Sequence, residues 1–159
     1  MRSSMTRGLT LALLVSAPWA PFAARAIQVN ITYTDGVNEG FNDPALGAQR
    51  RNAFQYGVNK WAQAILGAPS FGAAPLTITA HFDPLGGNAA SAVGGQAGAN
   101  WWAYGGGLPF SNTWYPAALL TGIANQDFNP GVSMIDATFN SDVDNAVVLG
   151  ATNWYYGTD

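Results

Sequence analysis

A strand, a long helix and a second strand follow one another in the first half of the sequence, and this order constrains the fold more than any other feature. Residues 27–34, IQVNITYT, alternate apolar and polar side chains, which is the period of a half-buried strand. Residues 76–83, LTITAHFD, alternate in the same way between two prolines. Because parallel strands need a long crossover connection, the pattern predicts a parallel βαβ unit.

The crossover helix is predicted to run from Pro44 to about Leu66. Asn42 or Asp43 can cap it, and proline suits the first helical position because its missing N–H is not needed there. Gly67 supplies the C-terminal cap. One stripe of the helix is apolar and should bury against the sheet, so that removing its tryptophan would cost about 3–5 kcal/mol. Its members are Phe54, Val58, Trp61 and Ile65.

The stretch from Gly86 to Gly107 contains eight glycines. It is compatible with a glycine-interrupted edge hairpin or with a long mobile loop. The hairpin is favoured because Trp101, Trp102 and Tyr104 are costly to leave in water as a group.

A short helix is predicted after this stretch, with Thr113 as a possible cap, Pro116 in its first turn and its end at Ala124. A further strand is predicted over residues 134–139, and an apolar run follows at 146–149. The expected fold class is α/β or α+β, a twisted mixed sheet with one long backing helix.

The N-terminal segment has the pattern of a secretory signal peptide. Two arginines precede an apolar run that begins at Leu9, and Ala-Arg-Ala at 24–26 is a typical cleavage site. Two prolines interrupt the run, and its apolar core is too short for a membrane anchor. We therefore expect cleavage of residues 1–26 and export of residues 27–159 as a single domain, to the periplasm, the cell surface or the medium, with no later membrane span.

Charge and cysteine content limit the partners and the stabilising chemistry of the exported chain. Without residues 1–26 it keeps three basic residues against nine acidic ones, so nucleic acid is a poor partner. The sequence has no cysteine, so disulfides cannot stabilise the domain. A chain of this length can bury a sufficient core without them.

Candidate catalytic groups are few. His81 is the sole histidine, so a Ser-His-Asp triad could form only around it, and no cysteine nucleophile exists. Its place on the polar face of a strand favours a sheet-face residue over a catalyst. Zinc usually takes three or four protein ligands, which one histidine and scattered aspartates do not supply. We assign no catalytic, cofactor-binding or metal-ligating residue to any position.

Two loops resemble ligand-binding motifs only superficially. NSDVDN at 140–145 places Asp142 and Asp144 at alternate positions, as in a calcium loop, but Asn145 replaces the glycine of an EF-hand and Ala151 its final glutamate. The pattern favours a solvated turn between strands. The GGGLPF stretch lacks the lysine and the helix of a phosphate-binding loop.

Several short stretches, taken in order, resemble the N-terminal part of a family of exported bacterial zinc metalloproteases of the HExxH, metzincin-like type. DATFN at 136–140 and YYGTD at 155–159 are the most specific of them. The others are ITYTDGVNEGFNDP, AQRRNAF, KWAQAI, LTITAHFDPL and NTWYPAAL.

The resemblance implies a zinc endopeptidase that acts on protein or peptide substrates. It also implies that the aromatic-Gly-x-Asp segment leads into the helix that carries HExxH, and that the sequence stops just before that helix. In the family the two histidines bind zinc and the glutamate activates water. No residue here corresponds to them, so this chain is expected to bind no zinc and to be inactive as given.

A competing hypothesis is a non-catalytic exported module that binds glycans or a partner protein through an aromatic surface. Ordinary core aromatics are the simpler interpretation of the same residues. The candidates for that surface are Trp101, Trp102, Trp114, Tyr115 and Trp154.

Overall fold

The computed structural model describes residues 27–65, 74–144, 147–150 and 152–157. The predicted signal peptide and the predicted helix end at Leu66 and Gly67 lie outside these residues. The regular elements are β1 (Val29–Tyr33), α1 (Gly47–Ala64), β2 (Leu76–Asp83), β3 (Gly95–Ala99), β4 (Trp102–Ala103), β5 (Tyr115–Pro116), α2 (Ala117–Ala124) and β6 (Ile135–Asn140).

The main sheet has four strands in the order β1-β2-β6-β3. β1, β2 and β6 are parallel, with Ile31 opposite Ile78 and Ala80 opposite Ala137. β3 runs antiparallel to β6 at the edge. The prediction of an α+β mixed sheet with one long helix is confirmed, as are the two strands of the βαβ unit.

The core lies between the sheet and α1. Ile78, Ala80 and Ala137 are buried on the apolar face of the sheet, as the two-residue period of the strands requires. Phe41, only 1% exposed, inserts from a 3-10 turn at Gly40–Asn42. Four aromatic rings surround it at centroid distances of 4.5–5.7 Å: Tyr33, Phe54, Phe82 and Phe139.

The structure around the start of α1 explains why the sequence has Asp43 and Gly47 there. One carboxylate oxygen of Asp43 accepts the backbone N–H groups of Ala45 and Leu46, at 2.8 and 2.7 Å, and these bonds lower the pKa of Asp43. Asp43 thus caps the turn that precedes α1. The regular helix begins at Gly47 after Leu46, which makes no side-chain capping bond, so the predicted start at Pro44 is three residues too early. A Cβ on Gly47 would lie 2.5 Å from the carbonyl oxygen of Phe41, so this close approach requires glycine.

The predicted apolar stripe of α1 is only half buried. Phe54 and Val58 pack against the core, but Trp61 is 71% exposed and Ile65 is exposed too. The expectation that Trp61 is a buried anchor is therefore wrong. The residues do share a helix face, but nothing among the described residues covers the part of that face that carries Trp61.

The glycine-rich stretch forms an edge strand but not a hairpin. β3 pairs with β6, whereas β4 pairs with β5 in a separate two-stranded ribbon. Close packing explains one of its glycines, because a Cβ on Gly95 would lie 3.0 Å from the carbonyl oxygen of Thr138. The predicted hairpin is wrong because the chain leaves the sheet after Ala99.

The later elements follow the predictions closely. α2 begins at Ala117 directly after Pro116, but Thr113 does not cap it, since its hydroxyl donates to the carbonyl oxygen of Ser111. β6 matches the predicted strand, and residues 147–150 of the apolar run form a turn. Within the part of the chain that the structure describes, no helix is long and apolar enough to cross a membrane.

Candidate functional site

An open apolar groove runs between α1 and the sheet. Its volume is about 690 Å³. Both walls are apolar, one formed by α1 and the other by the strands, and the aromatic residues near the C-terminus reach into it. The lining residues include Val29, Phe54, Val58, Trp61, Ile65, Leu76, Ile78, Ile135, Phe139, Trp154, Tyr155 and Tyr156.

The segment 152–157 contributes to one part of this groove. The ring of Trp154 packs edge-on against Phe82 and Phe139, at centroid distances of 6.3 and 6.0 Å. Its indole N–H donates to the carbonyl oxygen of Asn140 at 3.0 Å. The segment is irregular and its tryptophan is half-buried.

Arg50 attaches the same segment to α1. Its guanidinium donates to the phenol oxygen of Tyr156 at 3.0 Å, to the carbonyl oxygen of Gly40 at 2.7 Å and to the carboxylate of Asp144 at 2.5 Å. It also lies 4.5 Å from the centre of the Phe82 ring. These contacts connect α1 to the C-terminal segment through Tyr156, to the loop before the helix through Gly40 and to the turn after β6 through Asp144.

The charge of Arg50 is well compensated, although the side chain is only 8% exposed. Burial alone would lower its pKa, but the hydrogen bonds and charges of Tyr156 and Asp144 raise it overall. In contrast, burial raises the pKa of Tyr156, and the nearby Arg50 offsets only part of this rise. Both groups therefore keep their neutral-pH forms, a cationic guanidinium and a neutral phenol.

Asn140 is a second point of attachment and is fully buried. Its amide oxygen accepts the N–H groups of Leu85 and Asp142, and its amide nitrogen donates to the carbonyl oxygens of Gly86 and Val93. With the bond from Trp154 to its own carbonyl, this residue joins three separate loops at the end of β6. Such a saturated buried amide costs much to disturb.

Sequence reasoning missed Arg50 and Asn140. Arg50 lies four residues before Phe54 and eight before Val58, so helical spacing alone places it on the buried stripe. Asn140 ends β6 at a position that alternation places on the polar face, and no sequence pattern distinguishes a buried asparagine from an exposed one there.

His81 lies on the sheet face away from α1, as predicted. Its Nε2 is 3.2 Å from a carboxylate oxygen of Asp83 and 3.3 Å from the hydroxyl of Thr138. Its Nδ1 is 3.8 Å from Asp136, whose carboxylate accepts a 2.6 Å bond from Thr79. Across the described ranges, no three histidine, cysteine or acidic side chains converge in a way that could hold a metal ion.

The aspartates of the NSDVDN loop bind protein groups. Asp142 accepts the N–H of Gly86 at 2.9 Å, and Asp144 pairs with Arg50. The two residues lie in a 3-10 turn at Ser141–Asp144, where Asp144 also accepts a bond from the phenol of Tyr156. The expected turn is therefore present, but it is only partly solvated, because Asp144 pairs with Arg50 and Asp142 accepts from the backbone of Gly86.

The five aromatic residues proposed as one binding surface are dispersed. Tyr115 is buried, Trp101 is half-buried, and Trp154 belongs to the groove. Only Trp102 and Trp114 are both exposed and close in the fold, on β4 and next to β5.

Comparison with known proteins does not extend these observations. No protein-family model matches the sequence, and neither a curated protein nor a solved structure is significantly similar to it. The resemblance to metzincin-like zinc proteases stays a prediction.

Proposed function

We propose that this chain is the N-terminal scaffold of an exported bacterial zinc endopeptidase, inactive by itself, whose groove beside α1 receives the helix that carries the HExxH motif. The open apolar groove is the observation that supports the proposal most strongly. A groove of about 690 Å³ with a wall of exposed Trp61 and Ile65 leaves a large apolar area in water.

The position of the C-terminal segment agrees with this proposal. Trp154 and Tyr156 are fixed to the sheet and to α1, so the described C-terminal segment ends beside the groove. An amphipathic helix that follows this segment could cover Trp61 and Ile65 with its apolar face. The resemblance of YYGTD to the segment before the zinc-binding helix supports the same arrangement.

The edge strand β3 is a place where a peptide substrate could bind. In the described sheet β3 is hydrogen-bonded on one side only, to β6, so its other side offers backbone N–H and C=O groups. A hollow of about 350 Å³ lies along it, lined by residues 96–100 with Asp136 and Thr138. An extended peptide could add to this edge as a further strand.

Among the residues that the structure describes, no group of three histidine, cysteine or acidic side chains could hold zinc. The acidic side chains beside His81 are Asp83 and Asp136, and both carboxylates already contact the imidazole or Thr79. We therefore assign no step of peptide hydrolysis to any residue of this chain. Zinc and protein or peptide substrates belong to the proposal for the longer protein.

The direct test is to express the reading frame past residue 159 and to measure casein hydrolysis and bound zinc. The proposal expects both in the longer protein, with activity lost on chelation and neither in the protein of residues 27–159. A longer protein that binds no zinc, or a reading frame without HExxH, contradicts it.

A pair of variants tests the groove within that experiment. Trp61→Asp places a charge where the proposed helix would pack, so it should abolish casein hydrolysis in the longer protein. Tyr56→Asp alters a partly exposed aromatic residue of α1 that does not line the groove, and should keep most of the activity. Equal activity of the two variants would show that no helix packs against Trp61 in the groove.

A further inference from the structure

A strip of exposed aromatic rings crosses the two-stranded ribbon on the side away from the core. In this antiparallel pair Trp102 is opposite Pro116 and Ala103 is opposite Tyr115. The same register brings Tyr104 opposite Trp114, and side chains alternate between faces along each strand. Trp102, Tyr104 and Trp114, the aromatic strip, therefore share the outer face, whereas Tyr115 is buried beneath it.

The strip is held in place by its own contacts. The rings of Tyr104 and Trp114 lie 4.9 Å apart at an angle of 35°. The Tyr104 hydroxyl donates to the side-chain oxygen of Asn112 at 2.9 Å, and Asn112 has the left-handed backbone conformation that asparagine tolerates well. The buried Tyr115 accepts the N–H of Phe110 at 2.8 Å, which fixes the loop beside the strip. Such an ordered platform loses little entropy on binding.

The exposure of the strip is unusual for a structural role. Trp114 is 62% exposed and Trp102 is 54% exposed, and Tyr104 is similar. Two tryptophans and a tyrosine on one exposed face suggest a contact surface, because their amphipathic rings favour interfaces.

The lack of charged residues in the sequence around the aromatic strip limits the chemical classes of ligand that it could bind. Residues 84–126 contain no Asp, Glu, Lys or Arg, so this region has no side chain that would attract a phosphate, an anionic lipid or a nucleic acid. Its polar groups are amides and hydroxyls such as those of Asn112 and Thr113. The chemistry suits a neutral ligand with apolar faces and hydroxyl groups.

The size of the strip argues against a stable protein partner. Three rings that are each about half exposed offer on the order of 300–400 Å² of contact area, below the roughly 800 Å² per partner of a specific protein interface. A pyranose ring has C–H groups on its faces and hydroxyls at its edge, so two or three sugar units fit an area of this kind.

We propose that the aromatic strip is a binding site for a neutral oligosaccharide, with Trp102 and Trp114 stacking on successive pyranose rings and Asn112 donating from its side-chain amide to a sugar hydroxyl. This site is on a different part of the chain from the groove and does not depend on the zinc endopeptidase proposal.

The test is to titrate the full-length protein with cellohexaose or with chitohexaose. Binding is measured by tryptophan fluorescence and by calorimetry. At least one of the two should bind, and Trp114→Ala and Trp102→Ala should each weaken that binding by about tenfold or more. Tyr56→Ala, which removes an exposed aromatic ring of α1 that lies outside the groove, should leave the affinity unchanged. Circular dichroism should show the same fold in all three variants.

The proposal is overturned if neither hexasaccharide binds, or if Tyr56→Ala weakens binding as much as Trp114→Ala does. Binding of neutral lipid vesicles or of an apolar peptide by the strip, without binding of either sugar, would also overturn it in favour of another class of partner.

Discussion

One side of α1 is covered by other residues near the start of the helix but is exposed to solvent near its end. Arg50 and Trp61 are eleven residues apart, about three turns, so both point to the same side of the helix. Arg50 is 8% exposed, enclosed by Tyr156, Asp144 and Phe82, whereas Trp61 is 71% exposed. Side-chain polarity alone would have predicted the reverse, a buried tryptophan and a solvated arginine.

The difference shows that burial on this helix depends on which later segment reaches it. Residues 152–157 return to the helix at the Arg50 end and supply Tyr156 as a hydrogen-bond partner. None of the described residues does the same at the Trp61 end. The Trp61 end is therefore the part of the fold where an additional segment would add the most apolar burial.

The covered end should be the most sensitive to mutation. Phe41→Ala removes a ring that is 1% exposed and contacts four others, so we expect a loss of about 3–5 kcal/mol in the free energy of unfolding. Denaturant unfolding followed by circular dichroism measures it. Phe110→Ala, which removes an exposed ring, should cost less than about 1 kcal/mol. Similar losses for the two variants would mean that Phe41 is not the centre of the core.

Arg50 should be the next most sensitive position. Arg50→Ala removes the cation that pairs with Asp144 and the donor to Tyr156, so that these two side chains keep only the 3.2 Å bond from the phenol to the carboxylate, and we expect a loss of about 2–3 kcal/mol. A double-mutant cycle with Tyr156→Phe should give a coupling energy of at least about 0.5 kcal/mol. Lys60→Ala, at an exposed position of the same helix, is the control. A coupling energy near zero would mean that Arg50 does not hold the C-terminal segment.

The open end should tolerate change in the protein of residues 27–159. Trp61→Ala should alter its free energy of unfolding by less than about 1 kcal/mol, because the ring is mostly in water already. A loss of 3 kcal/mol or more, as the apolar stripe in the sequence had suggested, would contradict the open groove.

The smallest effect concerns alkaline pH at the covered end. Burial, opposed by Arg50, raises the pKa of the Tyr156 phenol in the folded state, so the fold favours the neutral form. Its contribution to stability is complete below the unfolded pKa of about 10 and is lost as pH rises through the higher folded value. Tyr156→Phe should reduce the alkaline loss of stability, measured by denaturant unfolding between about pH 9 and 11. An unchanged slope would contradict the raised pKa.

The sequence predicted the elements well and the closing contacts poorly. Alternation in 27–34 and 76–83 is a local signal, so the βαβ unit could be identified, whereas the predicted helix start at Pro44 lies three residues before the observed one. The burial of Arg50 and Asn140 depends on partners up to 106 residues away, and no local pattern encodes such contacts. The exposure of the aromatic residues could not be predicted for the same reason, because it depends on the pairing of β4 with β5.

The central claim is that the groove at the Trp61 end receives a following helix, and thiol labelling tests it most directly because the 159 residues contain no cysteine. Trp61→Cys and Tyr56→Cys variants are labelled in the protein of residues 27–159 and in the product of the longer reading frame, and mass spectrometry quantifies each labelled peptide. We predict that labelling at position 61 slows by about 100-fold or more in the longer protein, while labelling at position 56 changes little. Equal labelling rates at position 61 in the two proteins would contradict the account.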